Sequence, residues 1–66
     1  MKSYTFFFFR PGCAIPSFDI ALCRDDHEAR SWAPRLAEGR PQCCKVEVWD
    51  ECKLVHEISW AGALAA

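Results

Sequence analysis

The residues best suited to chemistry are the five cysteines and two histidines. Cys23 stands four positions before His27, and Cys52 four positions before His56. Two Cys-x-x-x-His pairs would supply the soft and borderline ligands of a tetrahedral zinc, provided all four converge on one point. The elements that must carry them argue against convergence. Cys23 closes a predicted strand and His27 lies in a first helical turn, whereas Cys52 sits in a hairpin turn and His56 in mid-strand. Neither pair has the Cys-x-x-Cys spacing of a zinc knuckle. Cys43 and Cys44 are adjacent, so on a strand they point to opposite faces. No metal and no cofactor is expected, and Cys23, His27, Cys52 and His56 form the candidate ligand set of the alternative, a small zinc-stabilised domain. The sequence assigns Cys23 and Cys44 as small buried hydrophobes, and Cys13, Cys43 and Cys52 as exposed loop thiols.

A thiol nucleophile or redox sensor is the remaining chemistry. It needs a cation or a helix start to lower the thiol pKa. Cys23 is the best candidate, beside Arg24 and just ahead of a helix, but Asp25 and Asp26 add negative charge that opposes thiolate formation. His27 between Asp26 and Glu28 reads as a solvated first-turn histidine, and the acid pairs Asp25/Asp26 and Asp50/Glu51 read as a cap and a turn. No catalytic motif is present, so no catalytic residue is assigned.

Sixty-six residues make one domain, here 1–60 with a small-residue tail, 61–66, that is expected to fray. A chain of this size buries only about 60% of its unfolded surface and often relies on a disulfide, a metal or a partner. Hydrophobic residues are 52% of the chain and charged ones 26%, a globular composition. The formal net charge is −1, and the basic residues alternate with acids, so neither nucleic acid nor an anionic membrane is an expected partner. The longest aromatic run is Phe6 to Phe9, far short of a membrane span. Arg10 and Pro11 cut the apolar stretch too early for a secretory signal. An odd number of cysteines cannot pair fully within the chain, and a cytoplasmic protein with reduced thiols is expected.

Residues 4–10 predict a strand with aromatics on both faces, hence a central one. Pro11-Gly12 ends it, and residues 18–24 predict a second strand in which Phe18, Ile20 and Leu22 alternate with Asp19, Ala21 and Cys23. Asp25 and Glu28 predict an acidic capping box. From there Ala29, Trp32, Ala33, Leu36 and Ala37 make one apolar helical stripe, with Trp32 and Leu36 as its large anchors. Pro34 predicts a kink or break on the outer side, and Gly39 a C′ residue. Residues 43–50 and 54–60 predict two further strands. A type I turn with a bulge is expected between them, since the turn has no glycine.

The order β-β-α-β-β gives an α+β fold, a four-stranded, mostly antiparallel sheet with one helix on one face. The strand order 2-1-3-4 puts the aromatic strand inside. Tyr4 to Phe9, Asp25 to Leu36 and Val46 to Asp50 resemble stretches of short bacterial proteins assigned to domains of unknown function. That resemblance implies the same β-β-α-β-β order and no activity. The chain departs from them at Glu51-Cys52, where a glycine would be usual, and in its cysteine content.

One helix leaves the other sheet face uncovered, and a large apolar patch there marks an association surface. Phe6, Phe8 and Trp49 are the candidate interaction residues. The expected function is that of a small non-catalytic protein-interaction module, a homodimer or a binder of another protein.

Overall fold

In the computed structural model, which describes residues 1–12, 14–40 and 42–59, the elements follow the expected order. They are β1 (Lys2–Phe9), β2 (Ser17–Cys23), α1 (Asp26–Ala37), β3 (Lys45–Asp50) and β4 (Lys53–Ser59). The four strands make one antiparallel sheet in the order β2-β1-β3-β4. The aromatic strand is therefore central, and β2 and β4 are the edges. Trp60 and the tail 61–66 lie outside the described residues, as does Cys13.

The helix starts where its acids dictate. The Asp25 carboxylate accepts from the Glu28 N–H at 2.9 Å, and the Glu28 carboxylate accepts from the Arg24 N–H at 2.8 Å. The first bond satisfies a donor that the first turn would leave without a partner, and the second ties the residue ahead of the cap to that turn. The expected break at Pro34 does not occur: α1 runs through it to Ala37, and the carbonyl of Pro34 accepts from Glu38 N–H. Pro34 faces solvent, away from the sheet, where the missing bond to Arg30 costs no packing. Gly39 does not take the left-handed conformation of a C′ glycine. Among the described glycines a positive φ is found at Gly12, 74°, in the turn after β1.

The core lies between the helix and one sheet face. Tyr4, Phe6 and Phe8 of β1, Val46 and Val48 of β3, Cys23 of β2, and Ala29 and Ala33 of α1 are all fully buried. This corrects two expectations. Phe6 and Phe8 are not on the open face; with Tyr4 they form the ridge under the helix. Trp32 is not an anchor either. It lies on the flank of the stripe, 36% exposed, with the Arg35 guanidinium 5.4 Å from its ring centre. The reason is volume. A ridge of three six-membered rings fills the layer between helix and sheet, so the helix face above it must be small, and alanine provides that. Leu36, Ala37, Val55 and Ile58 close the rim.

The final hairpin also differs from expectation. Asp50 pairs with Lys53, leaving a two-residue loop, Glu51-Cys52. Glu51 has φ 56°, the left-handed value of the first loop residue in a primed turn. A bulge is present, but it lies inside the ladder at Val48/Trp49 rather than in the loop.

The face assignment predicts a contrast between neighbours. Phe6→Ala should cost about 3–5 kcal/mol, the range for emptying a buried aromatic site, and leave a marginal domain largely unfolded. Phe7→Ala, on the half-exposed side, should cost less than about 1.5 kcal/mol. Urea titrations of the two variants read the difference.

Candidate interaction face and side-chain clusters

Strand alternation sends Ser3, Thr5, Phe7 and Phe9 of β1 to the face without a helix. The register places their neighbours beside them: Leu22, Ile20 and Phe18 on one side, and Trp49, Glu47 and Lys45 on the other. The uncovered face is thus divided along β1. Its β3–β4 half is charged. Lys45 Nζ lies 3.3 Å from Glu47 and 3.7 Å from Glu57, and 4.4 Å from the centre of the Phe9 ring. The Trp49 indole donates to Glu47 at 3.0 Å. Burial pushes the Glu47 carboxyl up, but the Trp49 and Lys45 hydrogen bonds outweigh it and hold the group below the usual glutamate range. Trp49 lies on the uncovered side, half-buried and tied into this network.

The β1–β2 half is apolar. Phe18, Ile20 and Leu22 are 61%, 57% and 62% exposed. Phe7 packs beside Phe18 with ring centres 6.2 Å apart and planes tilted by 49°. The alternation of β2 was visible in the sequence, but not which side would face out. The inward side of β2 turns out to be Asp19, Ala21 and Cys23.

The candidate zinc ligands are dispersed. Cys23 ends β2, buried under the helix, while His56 lies on β4 at the opposite edge, three inter-strand spacings or about 14 Å across the sheet. His27 is exposed on α1, and Cys52 is exposed in the β3–β4 loop. Among the described residues no three His, Cys, Asp or Glu side chains come together as metal ligands. The two Cys-x-x-x-His pairs therefore do not build one site.

Cys23 is equally unsuited to nucleophilic work. Burial pushes its thiol pKa up, and the charges of Glu28 and Asp25 push it further. Asp26, the other acid expected to act on it, is instead bound to Tyr4. Cys43 and Cys44 exchange their expected roles because β3 begins at Lys45. Cys43 is buried with its thiol on the Lys45 carbonyl, and Cys44 is half-buried with its thiol on the Phe9 carbonyl.

Two polar features fix the ends of the sandwich. The Tyr4 hydroxyl donates to Asp26 Oδ1 at 2.6 Å, joining the central strand to the first turn of α1. That bond holds the Asp26 carboxyl below the aspartate range and, with burial, holds the phenol of Tyr4 well above the usual tyrosine range. At the other end is an open cleft of about 410 Å³ lined by Phe8, Arg10, Ser17, Arg40 and Gln42 among others. Its size suits a small ligand, but Arg40 is engaged within the fold. Its guanidinium stacks 3.9 Å from the Phe8 ring centre, donates to the Leu36 carbonyl, and lies 3.8 Å from Asp19. Arg40 thus acts as a clasp from the helix end to β2.

Comparison with protein-family models, with curated proteins and with solved structures finds no match for this chain.

The Tyr4–Asp26 bond carries a pH signature with two limbs. Asp26, depressed in the fold, contributes stability that is complete above the unfolded aspartate pKa of about 4 and is lost as pH falls through the folded value. Tyr4, raised in the fold, contributes stability that is complete below about pH 10 and is lost above it, where the unfolded chain ionises first. Thermal melts from pH 2 to 11 should show both limbs, and Tyr4→Phe should flatten the alkaline one; an unchanged alkaline limb would contradict the assignment. A second prediction concerns the thiols. With iodoacetamide at neutral pH, Cys52 should label well before Cys23 and Cys43, which react on unfolding; mass mapping of the modified peptides reads the order.

Proposed function

We propose that this chain is a small non-catalytic, cytoplasmic interaction module that forms a homodimer through the apolar half of its uncovered sheet face. The observation that carries the reading is the row Phe18, Ile20 and Leu22. These large side chains stand about three-fifths exposed on one strand, flanked by Phe7. With each side chain presenting on the order of 100 Å² to water, the row makes an apolar patch of about 300 Å², in the range of the largest and often functional patch of a small protein. The residues that carry the face are therefore Phe7, Phe18, Ile20 and Leu22. Trp49 borders it from the charged half, and Phe6 and Phe8 support it from beneath.

The near-neutral charge favours this reading over nucleic-acid binding. So does the pairing of the open-face lysine, Lys45, with Glu47 and Glu57. Free thiols at Cys23, Cys43, Cys44 and Cys52 suit a reducing compartment.

Sedimentation of reduced protein over a concentration series tests the proposal. The wild type should show a reversible dimer. The double variant Phe18→Ser/Leu22→Ser should be a folded monomer, and Trp49→Ala should weaken the dimer less. A wild type that is still monomeric at about 1 mM, where a contact of about 4 kcal/mol would be half-formed, would sink the proposal.

A further inference from the structure

The two edges of the sheet are not alike. On β4 the ladder is broken by the bulge opposite Val48/Trp49, and the strand carries Lys53, His56 and Glu57. Bulges and charges are the devices that keep an edge from pairing. On β2 the described residues carry neither a bulge nor a proline, and Asp19 is the one charge within the strand.

The backbone polarity of β2 follows from two hydrogen bonds. The Phe9 carbonyl accepts from Cys44 N–H, so the odd residues of β1 turn their polar groups toward β3 and the even ones toward β2. Asp19 and Ala21, which face Phe6 and Tyr4, therefore complete the ladder with β1. The groups of Phe18, Ile20 and Leu22 then point outward. In agreement, the Ile20 N–H is bound by the neighbouring Asp19 carboxylate at 3.1 Å rather than by a strand.

The exposure of the open face makes the same point. Phe7 looks out on the helix-free side like Phe18, yet it is half-buried, because a strand flanks it on each side. Phe18, Ile20 and Leu22 remain about 60% exposed because one flank is missing.

We propose that β2 pairs antiparallel with β2 of a second copy about a two-fold axis through Ile20, making one sheet continuous across the dimer. This rests on the homodimer reading but places the contact at the strand edge, so that the two rows Phe18, Ile20 and Leu22 lie side by side on the same uncovered face. The register is set by the residues. Outward groups must meet outward groups, so Phe18, Ile20 and Leu22 of one copy must face members of the same set in the other. Centring on Ile20 pairs all three: Ile20 with its own copy, and Phe18 with Leu22. Asp19 then faces Ala21. The register that pairs Phe18 with Ile20 would set Asp19 directly against its copy, which like charges disfavour. The register that pairs Ile20 with Leu22 leaves Phe18 beyond the pairing. A seven-residue edge with one row of side chains buries less than a standard interface of about 1,600 Å². The dimer is accordingly weak and concentration-dependent.

The test combines sedimentation with amide hydrogen exchange by NMR at low and high concentration, using wild type and Ile20→Pro. Proline at position 20 removes an outward N–H that β1 does not use, so it blocks pairing while the edge tolerates it. The expected result is a wild-type dimer in which the Phe18, Ile20 and Leu22 amides slow by about tenfold or more on dimerisation. Ile20→Pro should be a folded monomer. A wild-type dimer whose edge amides exchange equally fast at both concentrations, or an Ile20→Pro dimer, overturns the edge pairing and leaves face-to-face association standing. A wild type that is monomeric throughout overturns both. If Ile20→Pro does not fold, wild-type exchange alone decides.

Discussion

Three aromatic rings under two alanines set the spacing on which the other contacts depend. Tyr4, Phe6 and Phe8 follow one another along one face of the central strand, and Ala29 and Ala33 lie above them on the helix. Burying such a ring contributes on the order of 2–3 kcal/mol, so this ridge dominates the core of a chain this short. It also fixes the faces. Once the even positions of β1 face the helix, pairing register sends Val46 and Val48 inward beside them and sends Phe18, Ile20 and Leu22 outward. The same ridge fixes the helix start, because the hydroxyl of Tyr4 emerges at the first turn of α1 and finds Asp26 there.

Element order, strand order and the helix start were legible in the sequence because each had a local cause. The caps at Asp25 and Glu28 and the double-faced apolarity of residues 4–9 are examples. The face of β1 was not legible. Phe6 to Phe9 is an unbroken aromatic run, and period-two reasoning needs a contrast between neighbours. One clue was available. A buried tyrosine hydroxyl needs an acceptor, and the acids at the helix start offer one, which favours Tyr4, and with it Phe6 and Phe8, on the helix side. Trp32 was misplaced for a related reason. Hydrophobic periodicity treats alanine and tryptophan alike, whereas packing over a bulky ridge selects the small residue. The candidate metal set failed because spacing of four along the chain says nothing about which edge of the sheet each pair occupies. Glu51 shows the opposite case: strand length and pairing impose a two-residue loop on a residue that does not favour it.

The uncovered face is two surfaces joined at β1. Next to β3 and β4, each charged group has a partner of opposite sign, and the indole of Trp49 is bound by a carboxylate. Next to β2, the side chains have only one another. A sheet with a uniformly apolar open face would invite stacking in several orientations. Here the charged half makes most of those orientations costly to desolvate, and the continuous apolar row lies on one strand, with Leu54 of β4 exposed apart from it beside Trp49.

The bulge of β4 has a consequence for the length of any assembly. Joining copies at β2 uses up the smooth edge of each, and both outer margins of the joined sheet are then β4. Those margins are kinked and charged, so a third copy meets no template. In a dimer joined at β2, growth would stop after a single addition and the sheet would not elongate from its edges. An irregularity of one residue at Val48/Trp49 would thus act as a chain stopper for that dimer.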